Sequence, residues 1–244
     1  EQNRETLGSK SVRSLILAPT RELAVQIAES FRVYGRHLKI KQAVIYGGVR
    51  PAIQIRALSR GVDILVATPG RLLDLLNQRQ LRLDKVGVLV LDEADRMLDM
   101  GFLPDIQKIC SAIPTNRQTM LFSATLPSQI VKLSKSFLDD PVQITVTPPS
   151  STVSRIEQKV LFVERENKSA LLESILEQDQ SVQRGLIFTR TKHGANRIAT
   201  RLSKIKISTE AIHGNKSQPA RLKALEKFRS GRARVLVATD TASR

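Results

Sequence analysis

Val88-Leu89-Val90-Leu91-Asp92-Glu93-Ala94-Asp95 is an apolar run that passes straight into acid. Alternating Val and Leu fit a strand buried in a parallel sheet. In open α/β sheets, ligands gather beyond the carboxyl ends of the strands. An Asp at such an end can hold Mg²⁺ directly or through water. A neighbouring Glu can orient and deprotonate a water that attacks a γ-phosphate. The spacing makes Asp92 the metal candidate and Glu93 the base candidate. The plainer reading is the acid-rich first turn of a helix, favoured by the helix dipole. The tetrad alone does not separate the two.

Outward from the tetrad, short apolar runs alternate with helical patterns. Strands are predicted over 13–18, 42–46, 63–67, 87–91, 119–122 and 142–146. Leu23, Ile27, Phe31 and Tyr34 recur at helical spacing, as do Leu72, Leu75 and Leu76. Such alternation predicts parallel-sheet βα units. Two prolines and four hydroxyl residues in Thr147-Pro148-Pro149-Ser150-Ser151-Thr152 then predict a linker over 147–153. Beyond it the alternation restarts, with strands predicted over 156–163, 185–189, 209–212 and 235–238. Helices are predicted over 168–177, 195–203 and 219–228. The last has Ser217 as a cap, Pro219 in its first turn and Gly231 as a stop. The predicted fold class is α/β, with two parallel-sheet domains in series at 1–146 and 154–244.

Charge narrows the partners. Lys and Arg outnumber Asp and Glu by 39 to 23, a net charge of +16. A chain this basic commonly meets a polyanion. Residues 153–244 carry 19 basic and 9 acidic side chains, more positive than the longer first part. Aromatics are 4% and Trp is absent, so nucleic-acid contact should rely on basic groups and backbone amides more than on stacking. The lone Cys110, in the apolar run 106–113, reads as core filling. No run of 18 apolar residues and no signal-like start is present, which leads to the expectation of a monomeric cytoplasmic protein without membrane contact.

Further strand ends carry phosphate-type features. Pro19-Thr20-Arg21-Glu22-Leu23-Ala24 opens a helix, where free backbone N–H groups suit an anion. Thr68-Pro69-Gly70-Arg71 does the same, and Gly47-Gly48 permits close backbone approach. Each alone reads best as an ordinary cap or turn. Together, on one sheet, they form a track. Ser123-Ala124-Thr125 supplies two hydroxyls that could bond Asp95.

This ordered set resembles the DEAD-box helicases of superfamily 2. In the second part the matching motifs are Ile187-Phe188-Thr189-Arg190, His213-Gly214, Gln218-Pro219-Ala220-Arg221 and Val237-Ala238-Thr239-Asp240. The stretches 188–195 and 211–221 look most like the bacterial RhlE-type branch. The resemblance implies two tandem RecA-like domains that hold ATP and single-stranded or short duplex RNA. It implies Mg²⁺ organised by Asp92, water positioned by Glu93, and Asp240 among the nucleotide contacts. Asp95, Ser123 and Thr125 would couple hydrolysis to strand separation. Pro19, Thr20, Arg21, Gly48, Thr68, Gly70 and Arg71 would meet the RNA backbone. Thr189, Arg190, Gly214, Gln218, Arg221 and Thr239 would bind RNA or support that surface. Ribosomal particles and RNA-decay machinery are the implied wider partners.

The sequence departs from that family in one respect. A phosphate cradle needs Gly-Lys-Ser/Thr, yet none of the 12 glycines is followed by Lys. Glu1 is not an initiator Met, and the family's arginine-rich motif would follow Thr239-Asp240. The expectation is a truncated piece of an ATPase that hydrolyses little ATP alone. The competing expectations are a non-catalytic RNA-binding module and a DNA-directed helicase of the same superfamily. His37, His193 and His213 lack metal-ligand spacing. Met97, Leu98, Met100 and Phe102 read as core, and Arg96 with Asp99 as a surface pair.

Overall fold

The computed structural model describes residues 8–146, 156–179 and 182–239. The chain divides into two compact units, Glu1–Pro141 and Val142–Arg244. The expected linker, 147–153, and Asp240 lie outside the described residues. No helix among the described residues is long and apolar enough to cross a membrane.

The first unit is built on β1 (Val12–Leu17), β2 (Gln42–Ile45), β3 (Val62–Ala67), β4 (Val88–Leu91) and β5 (Gln118–Leu121), in the spatial order β2-β3-β1-β4-β5. Every pairing is parallel. Between and after the strands lie α1 (Arg21–Tyr34), α2 (Pro51–Leu58), α3 (Pro69–Asn77), α4 (Ala94–Asp99), α5 (Leu103–Ser111) and α6 (Ser128–Phe137). Side chains alternate between the two faces of a strand, and each face has its own core. Ile16, Val66 and Val90 pack under Ala24, Leu23, Ile27 and Phe31 of α1. Leu15, Leu17, Leu89 and Leu91 pack on the other face against Leu72 and Leu75 of α3, Met97 of α4 and Ile106 of α5. Each such buried side chain contributes about 1.5–3 kcal/mol. Truncation of Leu91, at the foot of the acidic tetrad, would therefore disturb site and core together.

The second unit has β6 (Gly185–Thr189), β7 (Thr209–Ile212) and β8 (Val235–Thr239) in the order β6-β8-β7, again parallel. Leu176 of α7 (Lys168–Gln178) and Ala195, Ala199 and Leu202 of α8 (Lys192–Lys204) pack against Val235 and Val237. Arg201 of α8 pairs with Glu173 of α7 beside this core. On the opposite face Ala224, Leu225 and Phe228 of α9 (Gln218–Arg229) cover Leu236 and Ala238. The α/β class and the parallel sheets match the sequence reading.

Some expectations need correction. Residues 142–146 and 156–163 form no strand. Val142, Ile144 and Val146 are each more than 80% exposed, and Phe162 is 98% exposed. Apolar alternation makes a strand only where a neighbour supplies the hydrogen-bonded ladder, and these segments have none among the described residues. Tyr34 has the right phase in α1 yet is exposed. At ~1.5 Å per residue, α1 is about 21 Å long, whereas four-residue β2 spans about 13 Å. The helix end therefore runs past the short edge strand β2. Met97 is core, as expected, but Met100 is exposed at the C-cap of α4.

Candidate functional site

Parallel strands bring the residues after each strand to one edge. Across the first sheet that edge reads Gly47-Gly48 after β2, Thr68–Arg71 after β3, Pro19–Arg21 after β1, Asp92–Asp95 after β4 and Ser123–Thr125 after β5.

At the end of β4 the Asp92 amide donates to Leu17 O at 3.0 Å, which continues the ladder one residue past the strand. Asp92 Oδ1 accepts from the Glu93 amide at 3.0 Å. Burial pushes the Asp92 carboxyl above its ordinary value, and the nearby Glu93 charge adds to this against the opposing hydrogen bond. Glu93 then turns the chain through a left-handed conformation, φ 49° and ψ 55°. For a residue with a Cβ this costs roughly 1–2 kcal/mol. Ala94 next donates to Phe122 O at 2.9 Å, tying the start of α4 to the end of β5. The Glu93 carboxylate is held by Arg96 one turn on, Oε2 to Nη1 at 3.0 Å. The sequence suggests only that Arg96 could pair with Asp99.

Asp95 joins the tetrad to the neighbouring strand end. Its Oδ2 accepts from the Thr125 amide at 2.9 Å and from the Thr125 hydroxyl at 2.8 Å. Its own amide donates to Ser123 Oγ at 3.3 Å, and that hydroxyl donates to Thr125 O at 2.6 Å. Burial alone would raise the Asp95 carboxyl. The bonds from Thr125, Arg96 and Ser123 outweigh it and hold the group below its ordinary value.

The other strand ends divide by what their side chains already do. Thr20 spends its hydroxyl as the N-cap of α1, accepting from the Leu23 amide at 3.2 Å. Pro19 and Thr68 are buried. Arg71 donates to Val49 O and to Gln54 Oε1 at 3.2–3.3 Å, and Gln54 in turn donates to Tyr46 O at 3.0 Å. This chain of bonds fixes the glycine loop, and sequence reasoning missed Gln54. Its signal was present, since Gln54 sits four residues before buried Leu58 on α2. Arg21 lies against Gly48, which has φ +81°, and a Cβ there would fall 2.3 Å from Arg21 Nη1. Gly48 is thus favoured by its backbone conformation, and a Cβ there would have to push the Arg21 guanidinium aside. Gly70 is exposed.

In the second unit, Thr189 at the end of β6 donates toward Ala238 O at 3.3 Å and stands in register with Thr239. Arg190 and Gly214 are exposed, whereas Thr239, Gln218 and Arg221 are buried. The last three therefore lie beneath the surface rather than on it. His213 is buried, its Nε2 3.0 Å from Asn196 Oδ1. Burial first, and then the charges of Lys216, Lys192 and Arg221, hold its imidazole below the ordinary value. It serves as a neutral packing group there. Among the described residues no group of three or more His, Cys, Asp or Glu could hold a metal ion.

Comparison with known proteins agrees with this layout. A family profile described as DEAD/DEAH box helicase matches residues 4–133, and one described as helicase conserved C-terminal domain matches residues 167–244. The DEAD-box ATP-dependent RNA helicase 40 of Oryza sativa subsp. japonica is 47% identical over 232 residues, covering 94% of this chain and 29% of the relative. The DEAD-box ATP-dependent RNA helicase CshA of Bacillus subtilis (strain 168) is 42% identical over 236 residues, covering 97% of this chain and 48% of the relative. The chain thus spans about half or less of these relatives' length. Among solved structures, a DEAD box protein from the hyperthermophile Methanococcus jannaschii aligns with TM-score 0.54 at 37% identity, covering 96% of this chain and 62% of that one. S. cerevisiae dbp5 bound to gle1 and ip6 aligns with TM-score 0.66 at 26% identity, covering 95% and 57%.

Proposed function

The chain belongs to the DEAD/DEAH box helicase family, and from that premise we propose that it serves ATP-dependent separation or remodelling of short RNA structures. The observation that carries this reading is the bonding of Asp95 to Thr125 and Ser123. It fastens the acids of β4 to the next strand end, so a displacement at the nucleotide side is transmitted along the edge.

Bound Mg²⁺-ATP supplies the γ-phosphoryl group and the cation that offsets its charge. Asp92 suits such a cation. It is half-buried, one oxygen is fixed by the Glu93 amide, and it lies at a strand end. Mg²⁺ commonly takes one or two carboxylates and completes its shell with phosphates and water. Glu93, held by Arg96, orients the water and accepts its proton. Arg21 over Gly48, the exposed turn at Gly70 and the amides around Thr20 and Thr68 meet the RNA backbone. Arg190, Thr189 and Gly214 supply the matching surface of the second unit, with Gln218, Arg221 and Thr239 beneath it. Asp240 joins the nucleotide contacts. Backbone contacts position a strand without reading its bases, so sequence preference is low. Ribonucleoprotein particles are suitable substrates, and the protein works as a cytoplasmic monomer.

The missing Gly-Lys-Ser/Thr favours a second reading for these 244 residues alone. Without a cradle to position the γ-phosphate, the chain binds RNA and turns over little ATP. Two measurements test the pair. Affinity for one short sequence as RNA and as DNA, at a fixed salt concentration, should favour RNA; equal affinity contradicts the RNA assignment. RNA-stimulated phosphate release should stay near background; a clear rate abolished by Glu93→Gln overturns the low-turnover reading.

A further inference from the structure

The charge of the first unit does not sit where its acids and phosphate-type loops do. The segments leaving the strands at the carboxyl edge, 19–21, 46–50, 68–71, 92–95 and 122–127, hold three Arg and three acids. The loops entering the strands at the opposite, amino edge are 8–11, 35–41, 59–61, 78–87 and 112–117. They hold nine Lys and Arg and one acid, Asp84. Most of these cations are exposed. A solvated basic face is the ordinary explanation of excess charge, and two features set this edge apart from it.

The first is that the loops are tied to one another. Ser9 Oγ donates to Ser59 O at 2.8 Å, and Lys10 Nζ donates to Arg79 O at 3.0 Å. The Arg82 amide donates to Lys10 O at 2.8 Å, and the Lys41 amide donates to Asp63 Oδ2 at 2.9 Å. Arg79 is held with φ +54°, a conformation that an unconstrained loop would abandon. The backbone carrying the cations is thus fixed, so a ligand does not have to order it. The second is that Lys41, Arg60 and Arg79 have no carboxylate partner among the described residues, while Lys85 has the neighbouring Asp84 carboxylate, which is already paired with Arg82. They are displayed across the sheet from the β2 side to the β4 side. The four strands from β2 to β4 at ~4.8 Å spacing span about 14 Å, which matches on the order of four phosphates at ~3.4 Å rise.

We propose that the amino edge of the first unit is a second RNA-binding surface, which grips the phosphate backbone of RNA lying outside the nucleotide-side track. Tyr34 favours RNA over an acidic protein as the occupant. It is 85% exposed at the end of α1, next to Arg36 and His37, where a base can stack on its ring. This surface needs neither ATP nor the tetrad. Its failure would therefore leave the helicase reading intact.

The test uses the 244-residue chain and a fluorescein-labelled 20-nucleotide RNA without nucleotide, followed by anisotropy over a salt series. The combined variant Lys41→Gln, Arg79→Gln, Lys85→Gln should bind at least tenfold more weakly at low salt. Its salt slope should fall by about 2, since each lost single-strand phosphate contact removes ~0.7. The charge-preserving set Lys41→Arg, Arg79→Lys, Lys85→Arg should keep the wild-type slope, and all three proteins should melt alike. Photo-crosslinking should place RNA on Tyr34, and Tyr34→Leu should remove that crosslink. Wild-type affinity and slope in the Gln variant overturn the proposal. So does displacement of the RNA by polyglutamate at equal charge concentration, which would mark an acidic protein as an equal occupant.

Discussion

The Thr125 hydroxyl donates to the Asp95 carboxylate at 2.8 Å across 30 residues of chain, and the Thr125 amide donates to the same oxygen. A carboxylate that accepts two such bonds locks one strand end to the next. Asp95→Ala and Thr125→Val should therefore destabilise non-additively, with a coupling of about 1 kcal/mol in urea unfolding followed by circular dichroism. Because Asp95 is held below its ordinary 3.8, this contribution is fully present above that value and is lost as pH falls through the folded one. Purely additive losses at pH 7 would mean that the contact has no energetic weight.

Asp92 gives the opposite sign. Burial raises its carboxyl above 3.8, so the folded state holds the proton more tightly than the unfolded one. Stability is then lost as pH rises through the interval between the two values. Asp92→Asn keeps the acceptor for the Glu93 amide and removes the charge. At pH 7 its Tm should equal or exceed that of the parent, with the difference vanishing in acid below the ordinary Asp range. A lower Tm at pH 7 would show that the Asp92 charge stabilises the fold.

Two glycines of the motif set should behave differently. Gly48→Ala places a Cβ on the Arg21 guanidinium at φ +81° and should cost about 1 kcal/mol or more, with weaker RNA binding as Arg21 is displaced. Gly214→Ala meets nothing within 4 Å and should leave the melting curve unchanged. Equal losses at both positions would point to a general intolerance of the loops rather than to the Arg21 contact.

Cys110 is buried in α5, and burial pushes its thiol up to about 11. At pH 8 the thiolate fraction is then on the order of one part in a thousand. Labelling by a maleimide should be negligible in the folded protein and rapid in denaturant. Rapid labelling of the native chain would show that α5 opens readily.

Much of this was legible in the residues, and what was not has identifiable causes. Runs such as 88–91 carry their strand type in their own side chains, as do the seven other strands, but burial is less legible: Leu186 and Phe188 of β6 are more than half exposed. The segments 142–146 and 156–163 have the same composition. Their state depends on a hydrogen-bonding neighbour that composition does not encode. At the site, Asp95, Ser123 and Thr125 were readable because their chemistry is complementary. Arg71 was not, since its use in pinning Val49 and Gln54 depends on how α2 and α3 meet. The same holds for the amino edge, whose cations are scattered over five loops and become one surface only through the parallel order of the strands.

The left-handed backbone at Glu93 carries a further consequence. Glycine would occupy that conformation without the Cβ penalty, so replacing Glu93 by Gly should make the fold more robust while removing the carboxylate that Arg96 holds. A library sorted for thermal survival alone would drift toward that replacement. Position 93 is thus a place where a library sorted for endurance and one sorted for the carboxylate would part company.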